Sequence, residues 1–123
     1  MSNPAPGWQK HPDHVVDIQP FQGQVTVQSN DTVIAQSNRA FLVQESRYQP
    51  VYYIPQEDVR TELFGDSDNQ TYCPFKGHAS YYHLSLGDEQ IENVAWFYPE
   101  PFDECLSIKD YVSFYTDKVT ITV

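Results

Sequence analysis

The chain has 123 residues, a length that predicts one domain with a single hydrophobic core. It carries 17 acidic and 7 basic side chains, which gives a net charge of −10 at pH 7. Because nucleic acid and anionic lipid are bound through basic surfaces, we expect neither nucleic acid nor membrane partners. No apolar run approaches the ~20 residues of a membrane span, and the first residues lack the pattern of a secretory signal, so a cytoplasmic location is the expectation.

Residues 1–13 contain three prolines and a glycine among few apolar residues, and they predict a flexible N-terminal arm. Trp8 is the one side chain there that is able to fix the arm to the body. Residues 14–123 are predicted to form a single β domain, beginning with an extended segment at 14–18.

The first half of this domain shows the alternation of apolar and polar residues that is typical of strands. Residues 24–28 and 32–36 flank an Asn-Asp turn and predict a β-hairpin. Residues 40–45 and 51–54 predict two further strands, the second ended by Pro55. In residues 55–64 the apolar residues no longer alternate as in a strand, and acidic residues occupy the predicted first helical turn. Both features favour a short helix or 3₁₀ turn. The polar residues 65–70 predict a loop.

The second half repeats the pattern of strands and tight turns. Residues 82–86 and 91–98 predict a second hairpin, and residues 104–109 predict a helical turn capped by Asp103. Strands are predicted again at 111–115 and 119–123. Since no crossover helix separates any two strands, the predicted fold class is mainly β, a compact domain of short antiparallel sheets with one or two short helices.

Residues 71–82 combine the most varied chemistry in the chain. They contain a thiol, a cation, an imidazole, hydroxyls and phenols, and Pro74 and Gly77 turn the backbone between them. We therefore place the candidate site around this segment.

Four blocks of the sequence resemble the family called domain of unknown function 427. They are residues 51–59, 71–81, 95–101 and 114–115, in matching order and spacing. The resemblance implies a β-tent-like fold, similar to methionine sulfoxide reductase B and the cereblon ligand-binding domain. The family is sometimes labelled nucleotidyltransferase-like, but the chain has no glycine-rich or basic phosphate cradle next to paired carboxylates.

A metal or cofactor is not expected. The zinc-bearing relatives of the implied fold use four thiolates, whereas this chain has only Cys73 and Cys105, which we expect to be reduced. His78 and His83 are five residues apart on a predicted strand and therefore point to opposite faces.

Cys73 and Lys76 are the first candidate functional residues. Cys73 is a candidate nucleophile whose thiolate would be favoured by Lys76, although the alternative is a buried unreactive thiol. Cations are scarce on this acidic chain, and two of them, Lys76 and Arg39, are together suited to binding an anion. The alternative for Arg39 is a structural ion pair with Glu45 or Asp58.

These residues leave three function classes open. The first is a binding module for a small anionic ligand, in which Arg39, Lys76 and Glu45 or Asp58 lie in an aromatic pocket. The second is an enzyme that uses Cys73, or Asp58 and Lys76 as an acid/base pair. The third is a protein-interaction module whose edge is residues 96–102. The aromatic candidates for the pocket are Tyr52, Tyr53, Tyr72, Tyr81, Trp96 and Tyr98.

Overall fold

The computed structural model describes residues 2–123, which form ten strands and four short helical elements. The prediction of a mainly β single domain is confirmed. The strands are β1 (Val16–Pro20), β2 (Val25–Ser29), β3 (Thr32–Ser37), β4 (Phe41–Glu45), β5 (Val51–Pro55), β6 (Phe64–Cys73), β7 (Gly77–Leu86), β8 (Glu89–Phe97), β9 (Tyr111–Phe114) and β10 (Thr120–Thr122). The helical elements are α1 (Gly7–Lys10) and 3₁₀ turns at Gln56–Asp58, Thr61–Leu63 and Asp103–Ile108.

The strands form two antiparallel sheets. The larger has seven strands in the order β1-β4-β5-β9-β8-β7-β6, and the smaller has three in the order β10-β2-β3. Both predicted hairpins are present, as β2–β3 and β7–β8. Each hairpin is antiparallel because its two-residue connection leaves no room for the crossover that a parallel pair requires.

Two apolar clusters hold these sheets together. The first joins residues of both sheets, including Val27 of β2 and Ile54 of β5, each with no exposed surface. The second contains Tyr53 and Ile108. Tyr53 and Ile54 are neighbours on β5, and successive side chains of a strand point to opposite faces, so one strand supplies both clusters.

The prediction of a loop over residues 65–70 is wrong, because these residues belong to β6. β6 is an edge strand that pairs only with β7, and its register shifts between Asp66 and Gln70. Most of its side chains are exposed, so the segment lacks the alternation that marks a half-buried strand. The other edge of this sheet is β1, which ends at the exposed Pro20.

The N-terminal segment lies against the body of the domain, whereas its predicted flexibility stays a prediction. The Gly7 N–H donates to the Pro74 carbonyl at 2.9 Å, and the Trp8 and Phe75 rings form a T-shaped contact with centroids 4.7 Å apart. A Cβ atom on Gly7 would lie 2.6 Å from the Phe75 ring, so a glycine is required for this approach. No helix in residues 2–123 has the length and apolar character to cross a membrane.

Candidate functional site

One cavity brings together most of the residues predicted for the site. It has a volume of about 360 Å³ and lies beside the second apolar cluster, and we call it the aromatic cavity. It is lined by Val43, Glu45, Tyr48, Gln49, Val51, Tyr53, Lys76, Tyr81, Trp96, Tyr98 and Tyr115.

A buried ion pair forms the charged side of this cavity. The Lys76 ammonium donates to Glu45 Oε1, and the two side chains are only 8% and 12% exposed. Glu45 Oε2 accepts a second hydrogen bond from His14 Nε2 at 2.8 Å. An ammonium has three N–H donors, and within residues 2–123 only one of those of Lys76 has an acceptor. Two donors of Lys76 therefore remain for a ligand.

The turn between β6 and β7 positions Lys76. Gly77 has φ +124°, a conformation that favours glycine, and its Cα lies so close to the chain that an added Cβ would be 3.2 Å from the Glu100 carbonyl oxygen. The Phe102 N–H donates to the Lys76 carbonyl at 2.9 Å, which ties the turn to the segment after β8. Lys76 is thus held by backbone contacts on both sides.

His14 reaches the site from the N-terminal segment. Its ring stacks on Phe75 with centroids 3.9 Å apart and planes 15° apart, and its carbonyl accepts from Trp8 Nε1 at 2.6 Å. The stacking places Nε2 against Glu45. The carboxylate is therefore shared between a lysine and a histidine.

Two phenols supply further donors to the cavity. Tyr53 Oη accepts from Trp96 Nε1 at 3.1 Å, and its own O–H has no acceptor within residues 2–123. The Tyr98 hydroxyl makes no hydrogen bond to any described residue, and it is accessible from the aromatic cavity, which Tyr98 lines. Burial raises the pKa of both phenols above the ordinary value for tyrosine, so both remain protonated at neutral pH.

Three aromatic side chains in contact with one another form another part of the cavity lining. The rings of Tyr81 and Tyr115 are nearly parallel, with centroids 6.4 Å apart, and Trp96 lies 4.6 Å from Tyr115. The Tyr81 hydroxyl bonds to Thr71 Oγ1 at 2.9 Å. Burial, followed by the contact with Tyr81, raises the pKa of Tyr115. These three side chains add aromatic surface to the cavity lining.

The structure places Arg39 and Asp58 outside the aromatic cavity. Arg39 Nη2 lies 3.1 Å from Asp58 Oδ1, which is one of the two ion pairs considered from the sequence, and 3.2 Å from Glu57 Oε1, which was not considered. Burial opposes ionisation of Asp58, but hydrogen bonds from Ser37 and Arg39 outweigh it and hold the pKa of this carboxyl below its usual range. Asp58 and Lys76 are therefore engaged in separate ion pairs.

The two cysteines differ in their surroundings. Cys73 is half-buried at the end of β6 and makes no hydrogen bond to a base within residues 2–123. Cys105 is fully buried, donates its S–H to the Phe75 carbonyl at 3.5 Å, and has its pKa raised by burial to about 11. Neither thiol lines the aromatic cavity.

Two of the predicted aromatic residues also lie elsewhere. Tyr52 packs against Phe21, with ring centroids 5.1 Å apart. Tyr72 is 52% exposed and rests on His78. Glu45, Tyr53, Lys76, Tyr81, Trp96 and Tyr98 are the candidates that the cavity unites.

The sequence analysis did not select His14 or Tyr115 for the site. Tyr115 belongs to the last block of the family resemblance, which is a signal that points to it. His14 has no such signal, since 31 residues separate it from Glu45. Among residues 2–123, no three histidine, cysteine or carboxylate side chains converge as metal ligands would.

The model of one protein family, described as a domain of unknown function (DUF427) and named NTP_transf_9, matches residues 17–123. The match covers most of the chain, so the protein belongs to this family, and the resemblance stated from the sequence is confirmed. No curated protein matches the sequence.

Proposed function

We propose that this member of the DUF427 family is a binding module for a small anionic ligand with a planar apolar part, and that the aromatic cavity is its binding site. The observation that supports this most directly is the set of proton donors without acceptors in one cavity. They are two of the three N–H donors of the Lys76 ammonium and the hydroxyls of Tyr53 and Tyr98.

These donors favour a ligand that presents acceptor oxygens. A carboxylate accepts hydrogen bonds through two oxygens, and hydrogen bonds to charged groups are about twice as strong as neutral ones. The negative charge of Glu45 is offset because Lys76 and His14 both contact it. The Glu45 carboxylate therefore repels an anionic ligand less than an unpaired carboxylate would, and the Lys76 ammonium can attract that ligand.

The walls favour the planar part of the ligand. Trp96, Tyr81 and Tyr115 present ring surfaces to the cavity. A volume of about 360 Å³ lies within the range of roughly 300–1,000 Å³ that is typical of small-molecule sites. A small planar acid, such as a substituted aryl carboxylate, is the kind of ligand that a cavity at the lower end of this range would take.

The two alternative functions have less support. Cys73 makes no hydrogen bond with a base among the described residues, and Asp58 bonds to Ser37 and Arg39 rather than to Lys76. The edge at residues 96–102, considered for a protein partner, includes Trp96, whose indole bonds to Tyr53 and lines the aromatic cavity.

Intrinsic fluorescence offers a direct test. The chain has two tryptophans, so the Trp8→Phe variant leaves Trp96, in the cavity wall, as the sole reporter. Aryl carboxylates are titrated into this variant beside their neutral amides. We expect saturable changes with the acids and at least tenfold weaker binding of the amides, because the amides lack the charge that pairs with Lys76.

Tyr98→Phe provides the matched variant, since it removes one hydroxyl and keeps the ring. It should weaken binding of the acids, whereas Tyr72→Phe, at an exposed position outside the cavity, should not. Equal affinity for acids and amides, or equal effects of the two substitutions, would contradict the proposal.

A further inference from the structure

A second cavity lies between the N-terminal segment and the turn that joins β4 to β5. Its volume is about 560 Å³, and we call it the basic cavity. Tyr48 and the His14–Glu45 contact separate it from the aromatic cavity. It is lined by Lys10, His11, Pro12, Asp13, His14, Ser46, Arg47, Tyr48 and Phe75.

The charges of this lining differ from those of the chain as a whole. Lys10 and Arg47 make no ion pair within residues 2–123, and both line the basic cavity. Asp13 is the one carboxylate in the lining, and His11 adds a titratable ring. Three of the other basic side chains, Arg39, Arg60 and Lys76, pair with carboxylates. Lys118 donates to backbone carbonyls, and Lys109 lies outside this cavity.

Hydrogen bonds join the two walls of the basic cavity. The Ser46 N–H donates to the Val15 carbonyl at 2.9 Å, and the Val15 N–H donates to Ser46 Oγ at 2.9 Å. Phe75 contributes its ring, held between Trp8 and His14. The cavity is therefore part of the folded domain.

The backbone at Arg47 is in the left-handed region, with φ +73°. Arg47 is a central residue of the turn in which the Tyr48 N–H donates to the Glu45 carbonyl at 3.1 Å. Glycine or asparagine is favoured at such a position, and side chains held in this region concentrate at binding sites. The turn thus carries a guanidinium at a position where a glycine would relieve the strain.

We infer that the basic cavity binds phosphate, either inorganic or as a monoester. A guanidinium offers two parallel N–H donors that match the oxygens of phosphate, and a lysine adds a point charge. Arg47 and Lys10 supply these two groups, and the ring N–H of His11 supplies another donor. This inference does not depend on the ligand of the aromatic cavity.

The test is a titration of the full chain with sodium phosphate, monitored by ¹H–¹⁵N NMR. A titration with sodium chloride at the same ionic strength is the control. We expect saturable shifts of the Arg47 side-chain N–H and of the backbone amides of Lys10 and His11. Arg47→Gln and Lys10→Gln should each weaken phosphate binding at least tenfold. The charge-matched controls Arg60→Gln and Lys109→Gln should leave it unchanged, and equal weakening by the controls would overturn the inference.

Arg47→Gly separates binding from folding. It removes the guanidinium and relieves the left-handed strain, so phosphate affinity should fall at least tenfold while the melting temperature stays the same or rises. Unaltered phosphate affinity in this variant would overturn the inference. Tyr98→Phe, which tests the aromatic cavity, should leave phosphate binding intact, so failure of one proposal is distinguishable from failure of the other.

Discussion

Replacement of Lys76 by methionine tests whether the ion pair with Glu45 behaves as a buried one. Methionine fills much the same space as the lysine side chain but carries no charge. Glu45 would then keep only its contact with His14, at 2.8 Å, while its side chain is only 12% exposed. The free energy of unfolding should therefore fall.

The size of this loss follows from the burial of the pair. Removal of one partner of a buried ion pair costs about 3–5 kcal/mol, because the other charge is left in a poorly solvated place. Since His14 still contacts Glu45, we expect the lower end, about 3 kcal/mol. For a chain of this length that corresponds to a melting temperature lower by roughly 12 °C.

Urea unfolding followed by tryptophan fluorescence measures the loss, with the melting temperature as a second measure. Arg60→Met is the control, since Arg60 and Glu62 also form an ion pair but are each more than half exposed. This control should change the stability far less, because exposed pairs contribute little.

The double variant Glu45→Gln with Lys76→Met decides whether the buried charge is the cause. It removes the uncompensated carboxylate, so it should be more stable than Lys76→Met alone. A double variant less stable than the single one, or a loss for Lys76→Met no larger than that for Arg60→Met, would refute the reasoning.

Three further predictions follow from close contacts and shifted pKa values. Gly7→Ala should displace the N-terminal segment from Phe75 and speed its proteolysis several-fold, and an unchanged cleavage rate would mean that this contact does not hold the segment. Iodoacetamide at pH 8 should label Cys73 and leave Cys105 unlabelled until the protein unfolds, because burial raises the pKa of Cys105 to about 11; labelling of both thiols in the folded protein would contradict this. Because the pKa of Asp58 is lowered in the folded protein, its charged carboxylate stabilises the fold above about pH 4, and this effect is lost as the pH falls through the folded pKa. The difference in unfolding free energy between the protein and its Asp58→Asn variant should therefore shrink in acid, and a constant difference would contradict this.

The strands could be predicted wherever one face is buried and the other is not. Val25 and Val27 are buried while the intervening Thr26 is half-buried, and this alternation is visible in the sequence. β6 was missed because its neighbour β7 stabilises it through backbone hydrogen bonds, and those bonds leave no trace in residue type. A strand at an edge, with polar side chains on both sides, resembles a loop when read from sequence alone.

The site was only partly predictable because strand register brings its parts together. β1 pairs with β4 so that Val16 is opposite Glu45, and this pairing brings the preceding His14 to the same carboxylate. Lys76 reaches Glu45 from the other direction along the chain, also across 31 residues. The sequence predicted Lys76 and four aromatic residues of the lining, Tyr53, Tyr81, Trp96 and Tyr98, whereas His14 required knowledge of which strands are neighbours.

The two edges of the larger sheet also affect how copies of the protein meet. β1 ends in Pro20, which lacks an N–H donor, and the register of β6 against β7 shifts between Asp66 and Gln70. An incoming strand pairs best with a long regular row of backbone donors and acceptors, and both edges depart from such a row. Asp66 and Asp68 add exposed negative charge along β6, so two such edges repel one another. β6, whose residues 65–70 were predicted to be a loop, thereby opposes edge-to-edge growth into fibrils.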